Sequence, residues 1–216
     1  CGNLKFDQDV PSELEEISSN IRRDWSIKGE LRPTLIAAST HEGEEEIVLE
    51  AFKHIQKKYP NALLILVPRH LERFKRVKSM VRNSGLILAS RSQKTEISEK
   101  TQVLLGDTIG ELNFLYSLAD VAFVGGSLID HGGQNLLEPS AQSLALLSGP
   151  SLRNFHDISM QLLDNKALLI INNAEGLSKK FIELLENRDL LKEIGNSAFK
   201  VFTQNRGALQ ELSLIH

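Results

Sequence analysis

Short apolar runs alternate with amphipathic stretches along most of the chain. Leu35–Ser39, Leu63–Val67, Leu86–Ala89, Val103–Leu105, Val121–Val124, Leu144–Leu147 and Leu168–Ile171 are apolar at successive positions, the pattern of strands covered on both faces. Between the first two, Ile47, Val48, Ala51, Phe52 and Ile55 recur at helical spacing over Glu44–Lys58, and lysines close the stretch where cations suit a helix end. Further helices are predicted over Glu72–Asn83, Gly110–Ser117, Leu137–Gln142, Phe155–Asp164, Gly176–Glu186 and Asp189–Asn205. This strand–helix alternation predicts an α/β fold with a parallel sheet and helices on both faces. Ahead of the first strand, Pro11-Ser12-Glu13 opens a charged helix to about Trp25, and Lys28 to Pro33 reads as an exposed turn. Residues 1–31 are therefore expected to be a connector with a helix, and residues 32–216 the domain proper.

Composition narrows the class. With 216 residues, 41% of them hydrophobic and 25% charged, the chain can bury one sizeable core. A net charge of −3 gives no global attraction to nucleic acid, although Lys53 to Lys58 and Arg69 to Arg82 are locally basic. Cys1 is the single cysteine, so neither an internal disulfide nor a cysteine-built metal cluster is available. No apolar run approaches the ~18 residues of a spanning helix, so the chain is expected to be soluble and cytoplasmic. It starts at Cys1 without an initiator methionine, as a piece of a longer protein would.

In an open α/β sheet, ligands bind beyond the carboxyl ends of the strands. Four junctions there carry chemistry: Ser39-Thr40-His41-Glu42-Gly43-Glu44-Glu45, Pro68-Arg69-His70, Gly106-Asp107-Thr108-Ile109-Gly110-Glu111, and Gly125-Gly126-Ser127 running on to Gly132-Gly133-Gln134-Asn135-Leu136-Leu137-Glu138-Pro139. Ser39 with Glu42, Thr108 with Glu111, and Asn135 with Glu138 each have capping-box spacing, which by itself accounts for the glutamates. Capping does not call for the glycines, which suggest close backbone approach or positive φ. Helix N-termini converging on one crevice would suit a phosphate. Arg69 adds a cation there, unless it is a surface arginine paired with a nearby carboxylate.

Other chemistries lack their signatures. There is no G-x-x-x-x-G-K-[ST] loop and no G-x-G-x-x-G after the first strand. His41, His70, His131 and His156 form no H-x-x-x-H pair, no Asp-x-Asp flanks a strand, and Ser127 is not set in a G-x-S-x-G elbow. No metal is called for.

Six motifs in order, Gly2-Asn3-Leu4-Lys5-Phe6-Asp7, Ala38-Ser39-Thr40-His41-Glu42-Gly43-Glu44-Glu45, Val67-Pro68-Arg69-His70, Gly106-Asp107-Thr108, Phe123-Val124-Gly125-Gly126-Ser127-Leu128 and Asn135-x-x-Glu138-Pro139, resemble bacterial 3-deoxy-D-manno-octulosonic acid (Kdo) transferases. The resemblance runs from Gly2 to Asn205-x-Gly207-Ala208. It departs at Gln134, where the family pattern has histidine, at Leu136, where it has proline, and at Leu152-Arg153. It implies a Rossmann-like domain, the C-terminal half of a GT-B glycosyltransferase, whose donor is CMP-Kdo and whose acceptor is the lipid A precursor at the cytoplasmic face of the bacterial inner membrane. It further implies an inverting displacement, without metal or other cofactor, in lipopolysaccharide biosynthesis. The acceptor domain, the membrane contact and the general base belong to the half preceding Gly2, so no catalytic residue is assigned in this chain.

On that resemblance, Pro68, Arg69, Thr108 and the N–H groups of Ile109, Gly110 and Glu111 bind the CMP of the donor, and Ser127 is a phosphate-side donor. Glu138 suits the ribose diol, since a carboxylate accepts from two hydroxyls, and Asn135 can cap a helix while offering its amide to the ligand. Lys5, Ser39, Thr40, His41 and Glu42 would face the sugar or the opposing domain. A UDP-sugar transferase or epimerase of the same architecture, and a stand-alone nucleotide-binding module, remain as alternative readings.

Overall fold

The computed structural model describes residues 10–214. Its centre is one parallel sheet of seven strands: β1 (Thr34–Thr40), β2 (Leu63–Pro68), β3 (Leu88–Ser90), β4 (Val103–Leu105), β5 (Val121–Val124), β6 (Ala145–Ser148) and β7 (Leu168–Ile170), in the order β3-β4-β2-β1-β5-β6-β7. Each matches a predicted strand to within a few residues. The helices are α1 (Val10–Asp24), α2 (Glu44–Lys58), α3 (Phe74–Asn83), α4 (Leu112–Ser117), α5 (Leu137–Ala141), α6 (His156–Asp164), α7 (Ala174–Glu186) and α8 (Arg188–Leu214).

Three helices differ from the sequence expectation at their starts for local reasons, and α8 runs to Leu214, past the expected end at Asn205. The helix expected from Glu72 begins with a 3-10 turn, Leu71–Arg73, ahead of α3. That expected from Gly110 starts at Leu112, because Gly110 has φ 79°, outside the helical region. α7 starts at Ala174, two residues before the predicted Gly176, because the Asn173 side chain accepts from the Gly176 N–H at 2.8 Å and caps the helix.

Both faces of the sheet are covered, which is why the strands read as unbroken apolar runs. Leu35 and Ala37 of β1 share one core with Val48, Phe52 and Ile55 of α2, Val77 and Val81 of α3, and Phe181 and Leu184 of α7. Ile36 and Ala38 share the other with Leu115 and Tyr116 of α4, Leu162 of α6, and Ala198 and Val201 of α8. Ile21 and Trp25 pack against this second core. Arg22 Nη2 donates to both Asp120 carboxylate oxygens at 2.9 and 3.0 Å, and Asp120 also accepts the Thr34 N–H at 2.8 Å. The described part of the segment expected to be a connector is thus docked on the domain through Ile21, Arg22 and Trp25.

At the opposite end of the sheet from the strand tips, Arg32 is 3% exposed and pairs with no carboxylate among the described residues. Its guanidinium donates to the carbonyls of Asn61 (2.8 Å), Ala62 (3.1 Å), Ser98 (3.3 Å) and Thr101, and burial pushes its pKa down. It clasps the lead-ins to β1, β2 and β4.

β1 lies between β2 and β5; β2, β3 and β4 lie on one side of it and β5, β6 and β7 on the other. The crevice where the strand order reverses therefore opens between the loops following β1 and β5, the place where such sheets bind ligands.

Candidate functional site

The end of β1 is bent. Its pairing with β2 shifts register between Ala38 and Thr40, and Ser39 sits at φ 55°, a conformation rare for residues other than glycine. The bend brings β1 against the end of β5 so closely that a Cβ on Gly125 would lie 2.6 Å from the Ser39 carbonyl oxygen and 2.7 Å from Thr40 Cα. Only glycine fits there.

Two buried carboxylates at the start of α2 hold this junction together. Glu44 is fully buried; Oε2 accepts from the N–H groups of His41 (2.9 Å) and Gly126 (2.7 Å), and Oε1 from those of Ser127 and Leu128 (both 3.0 Å). Glu45, also fully buried, accepts from Thr40 Oγ1 at 2.9 Å and from Arg73 Nη1 and Nη2 at 2.5 and 2.9 Å. The paired carboxylate holds the Arg73 pKa above its ordinary value. Sequence reasoning quoted both glutamates and gave neither a role. The signal was there: Glu44 lies on the helix stripe of Val48, Ala51 and Ile55, and a carboxylate on an apolar stripe at a helix start asks for a buried partner.

This arrangement corrects several expectations. Ser39 and Glu42 form no capping box, because the helix begins at Glu44 after Gly43, which is left-handed at φ 91°. Glu42 is exposed and ion-paired with Arg76. The Thr40 hydroxyl serves Glu45 rather than the crevice. Ser127 is 1% exposed, and its hydroxyl donates to the Val124 carbonyl (2.6 Å) and accepts from the Gly149 N–H (2.8 Å). It is therefore not a phosphate-side donor. The backbone amides of Gly126, Ser127 and Leu128 are likewise taken, by the protein's own carboxylate. Lys5 and the Gly2–Asp7 motif lie outside the described residues.

Arg69 stands differently. Pro68 ends β2 buried, the Arg69 N–H donates to the Thr40 carbonyl at 2.9 Å, and its exposed guanidinium has no hydrogen-bond or ion-pair partner among the described residues. The surface-pair alternative for Arg69 thus finds no carboxylate.

The loop after β4 is anchored at both ends. Asp107 accepts from Ser90 Oγ (2.7 Å), the Ser92 N–H (2.8 Å) and Ser92 Oγ (2.6 Å). Burial would raise its pKa, but these hydrogen bonds outweigh burial and lower it. Glu111 accepts from Arg91 Nε and Nη2 at 3.0 and 2.8 Å and from Thr108 Oγ1 at 2.5 Å, and the arginine chiefly holds its carboxyl below the usual range. Thr108 is thus a side-chain partner of Glu111 and not its N-cap, since Glu111 itself occupies the cap position of α4. Between the anchors Ile109 is 77% exposed. Among the described residues, the N–H groups of Ile109, Gly110 and Glu111 are not taken by other backbone carbonyls of the loops. Arg91, which sequence reasoning missed, also lies 5.2 Å from the Phe114 ring centroid.

At the start of α5, Asn135 Oδ1 accepts from the Leu137 N–H at 3.0 Å, and its amide donates to Glu138 Oε1 at 3.1 Å. This is an Asx turn rather than a capping box, because Glu138 does not return to the Asn135 N–H. Half-buried Asn135 and Glu138 line a groove with Leu14, Asn113, Leu137 and Phe202.

His41 is 7% exposed, with ring centroids of His131 and His70 at 4.0 and 5.4 Å. Burial, then the neighbouring His131, His70 and Arg73, push its pKa down to about 4 against the opposing pull of Glu45. Among the described residues, no group of three His, Cys, Asp or Glu side chains is arranged to hold a metal ion. At the strand ends the chain presents an unpaired Arg69 guanidinium and the unclaimed amides of Ile109, Gly110 and Glu111, groups suited to an anion, while the half-buried Glu138 carboxylate lines the groove with Leu14 and Phe202.

Comparison with known proteins places the chain in a family. Residues 36–201 match the family described as glycosyl transferases group 1. The chain is 41% identical over 212 residues to a 3-deoxy-D-manno-octulosonic acid transferase of Haemophilus influenzae, covering 98% of this chain and 49% of that protein. It is 38% identical over 188 residues to the Bordetella pertussis enzyme of the same name, covering 85% and 43%. The chain thus spans about half the length of these curated relatives. Among solved structures, it is similar to the C-terminal CMP-Kdo binding domain of WaaA from Acinetobacter baumannii, with a TM-score of 0.81 and 33% identity over 88% of this chain and 97% of that one. Anabaena Alr3699/HepE in complex with UDP and glucose shares the fold alone, at a TM-score of 0.60 and 12% identity over 94% of this chain and 52% of that one. The chain belongs to the group 1 glycosyl transferases, as a homologue of the 3-deoxy-D-manno-octulosonic acid transferases.

Proposed function

We propose that this chain is the CMP-Kdo-binding part of an inverting Kdo transferase, which adds Kdo to a lipid A precursor in lipopolysaccharide biosynthesis. The similarity over nearly the full length of a CMP-Kdo binding domain carries this reading, and the unpaired Arg69 guanidinium after β2, its backbone joined to the bent end of β1 at Thr40, gives it a physical basis. In this reading the acceptor site, the general base and the contact with the cytoplasmic face of the inner membrane are supplied by a second domain. Among the described residues, no helix is long and apolar enough to cross a membrane. The phosphate of CMP sits against Arg69 and the N–H groups of Ile109, Gly110 and Glu111. As the sugar leaves, charge developing on the phosphate is stabilised by these fixed donors, and a monophosphate can leave from them without a metal.

Calorimetry with CMP, cytidine and UMP in the presence of a chelator tests this. CMP should bind, and more tightly than UMP; CMP binding only after magnesium is added would overturn the metal-free site. Arg69→Ala should weaken CMP by about 1.5–3 kcal/mol, the range of a charge-assisted hydrogen bond, while leaving cytidine nearly unaffected. Equal losses for both would return Arg69 to a structural role.

Glu138→Gln probes the ribose side. The amide keeps an oxygen for Asn135 but replaces the second acceptor with a donor. The melting temperature should hold within a few degrees while CMP affinity falls roughly tenfold. Removing a ribose hydroxyl, as in 2′-deoxy-CMP, should blunt the effect. Unchanged CMP affinity in the variant would move the ribose contact elsewhere.

A further inference from the structure

The loop that presents the Ile109, Gly110 and Glu111 amides also carries a carboxylate of its own. Glu111 supplies one of those N–H groups, and its side chain, 32% exposed, accepts from Thr108 Oγ1 at 2.5 Å within the same loop. A carboxylate beside open amides works against an anion site in two ways: it repels the incoming charge, and it can take the amides for itself. The loop after β5 shows the second outcome in this chain, where Glu44 accepts from the N–H groups of Gly126, Ser127 and Leu128. At Glu111 the carboxylate is held instead by Arg91.

Arg91 is fixed for that task at the end of β3. Its N–H donates to the Leu105 carbonyl at 3.0 Å, which carries the pairing with β4 one residue past Ser90. Its neighbours on either side, Ser90 and Ser92, both donate to Asp107, so the backbone around Arg91 is tied to the start of the amide-bearing loop. From this base Nε and Nη2 reach the two Glu111 oxygens at 3.0 and 2.8 Å, a bidentate pair. The guanidinium carbon lies 5.2 Å from the Phe114 ring centroid, within the range of a cation–π contact, so α4 supports the arginine as well. The Arg91 side chain is 40% exposed, which leaves the pair open to solvent and its field open to screening by salt.

We propose that Arg91 is a positioning residue of the donor site, which holds the Glu111 carboxylate and neutralises it so that the amides of Ile109, Gly110 and Glu111 stay open to an anion. The proposal rests on the donor-binding reading and adds a residue to it. Without Arg91, the carboxylate is free to turn onto the N–H groups of its own loop or, left in place, sets a negative charge beside the phosphate. Both effects oppose a ligand that carries phosphate, and both spare an uncharged nucleoside. Binding should therefore follow the Glu111 charge rather than the arginine as such. Removing both charges should restore what removing the cation alone destroys.

The test is a double-mutant cycle on the whole chain, with CMP and cytidine titrated calorimetrically at low and at high salt. Arg91→Gln should weaken CMP roughly tenfold at low salt and leave cytidine within about twofold, and the CMP loss should shrink at high salt, where exposed charges are screened. Arg91→Gln combined with Glu111→Gln should regain most of the CMP affinity, and Arg91→Lys, which keeps the charge, should lose less than Arg91→Gln. That pattern supports the proposal. Equal losses for CMP and cytidine, or a CMP loss that Glu111→Gln deepens rather than relieves, would make Arg91 a packing residue of the loop and overturn it. Where Arg91→Gln does not fold, Glu111→Gln decides alone: it leaves the Arg91 cation uncompensated beside the amides, so CMP should bind several-fold more tightly, and unchanged or weaker binding overturns the proposal. CMP bound equally by Arg91→Gln and the unmodified chain overturns it too and leaves the donor reading standing. If the unmodified chain does not bind CMP, both fall.

Discussion

Glu44→Ala is expected to cost the fold about 3–5 kcal/mol, the range for breaking a buried charged network by removing one partner. The carboxylate lies at full burial among four backbone N–H groups from two loops, and its loss leaves those donors without acceptors in a space from which water is excluded. Glu44→Gln tests the cause more sharply. It preserves size, but its NH₂ group must face two N–H donors where an oxygen had accepted both, so it should recover only part of the loss. Chemical denaturation measures both variants, and a drop of roughly 10 °C in melting temperature corresponds to the larger effect in a chain of this size. Glu42→Gln, two residues away on an exposed pair with Arg76, is the control and should shift stability by less than ~0.5 kcal/mol. Equal behaviour of Glu44→Gln and the unmodified chain would remove the network from the account of the crevice.

Arg73→Ala is expected to have an effect of similar size for a different reason. It strands a fully buried Glu45 carboxylate whose other side-chain partner is the Thr40 hydroxyl. Removing one member of a buried pair costs about 3–5 kcal/mol because the remaining charge keeps its desolvation penalty. Replacing both, as in Arg73→Met with Glu45→Leu, should recover much of that loss. A double-mutant cycle on unfolding free energies checks the coupling. Additive losses would mean that the two side chains stabilise the junction independently.

The parts of the fold legible in the sequence are those set by apolar patterning. β1 through β7 are sandwiched between helices, so their residues are apolar on both faces and stand out from the amphipathic stretches around them. Order within the sheet was less legible, because β4 inserts between β3 and β2 and local patterning carries no record of that crossover. Helix starts were misplaced where a glycine takes positive φ, as at Gly110, or where a 3-10 turn precedes the helix, as at Leu71. At the crevice, the residue types at the strand ends were readable and their partners were not. Glu42, Glu44, Glu45 and Glu46 form one acidic run; the helix stripe singles out Glu44 as facing inward, but only the three-dimensional contacts show what Glu44 and Glu45 hold and leave Glu42 exposed. Ser127 follows two glycines and reads as a ligand donor; the close approach of Gly149 is what turns its hydroxyl inward.

The position of β1 between β2 and β5 also bears on how the chain reaches its final form. β1 and β2 are joined by a single helix, but the other edge of β1 is completed by a strand far along the chain: the Thr34 N–H meets Asp120 across 86 residues. Closing so long a loop costs entropy before the contacts that reward it exist, so such pairings tend to form late. Until β5 arrives, Leu35 to Ala38 present an unpaired apolar edge, and Glu44 waits in water for amides that only the β5 loop supplies. The crevice is thus completed by the most non-local strand pairing among the described residues, and a nascent chain released before Val124 would carry the edge without the means to cover it.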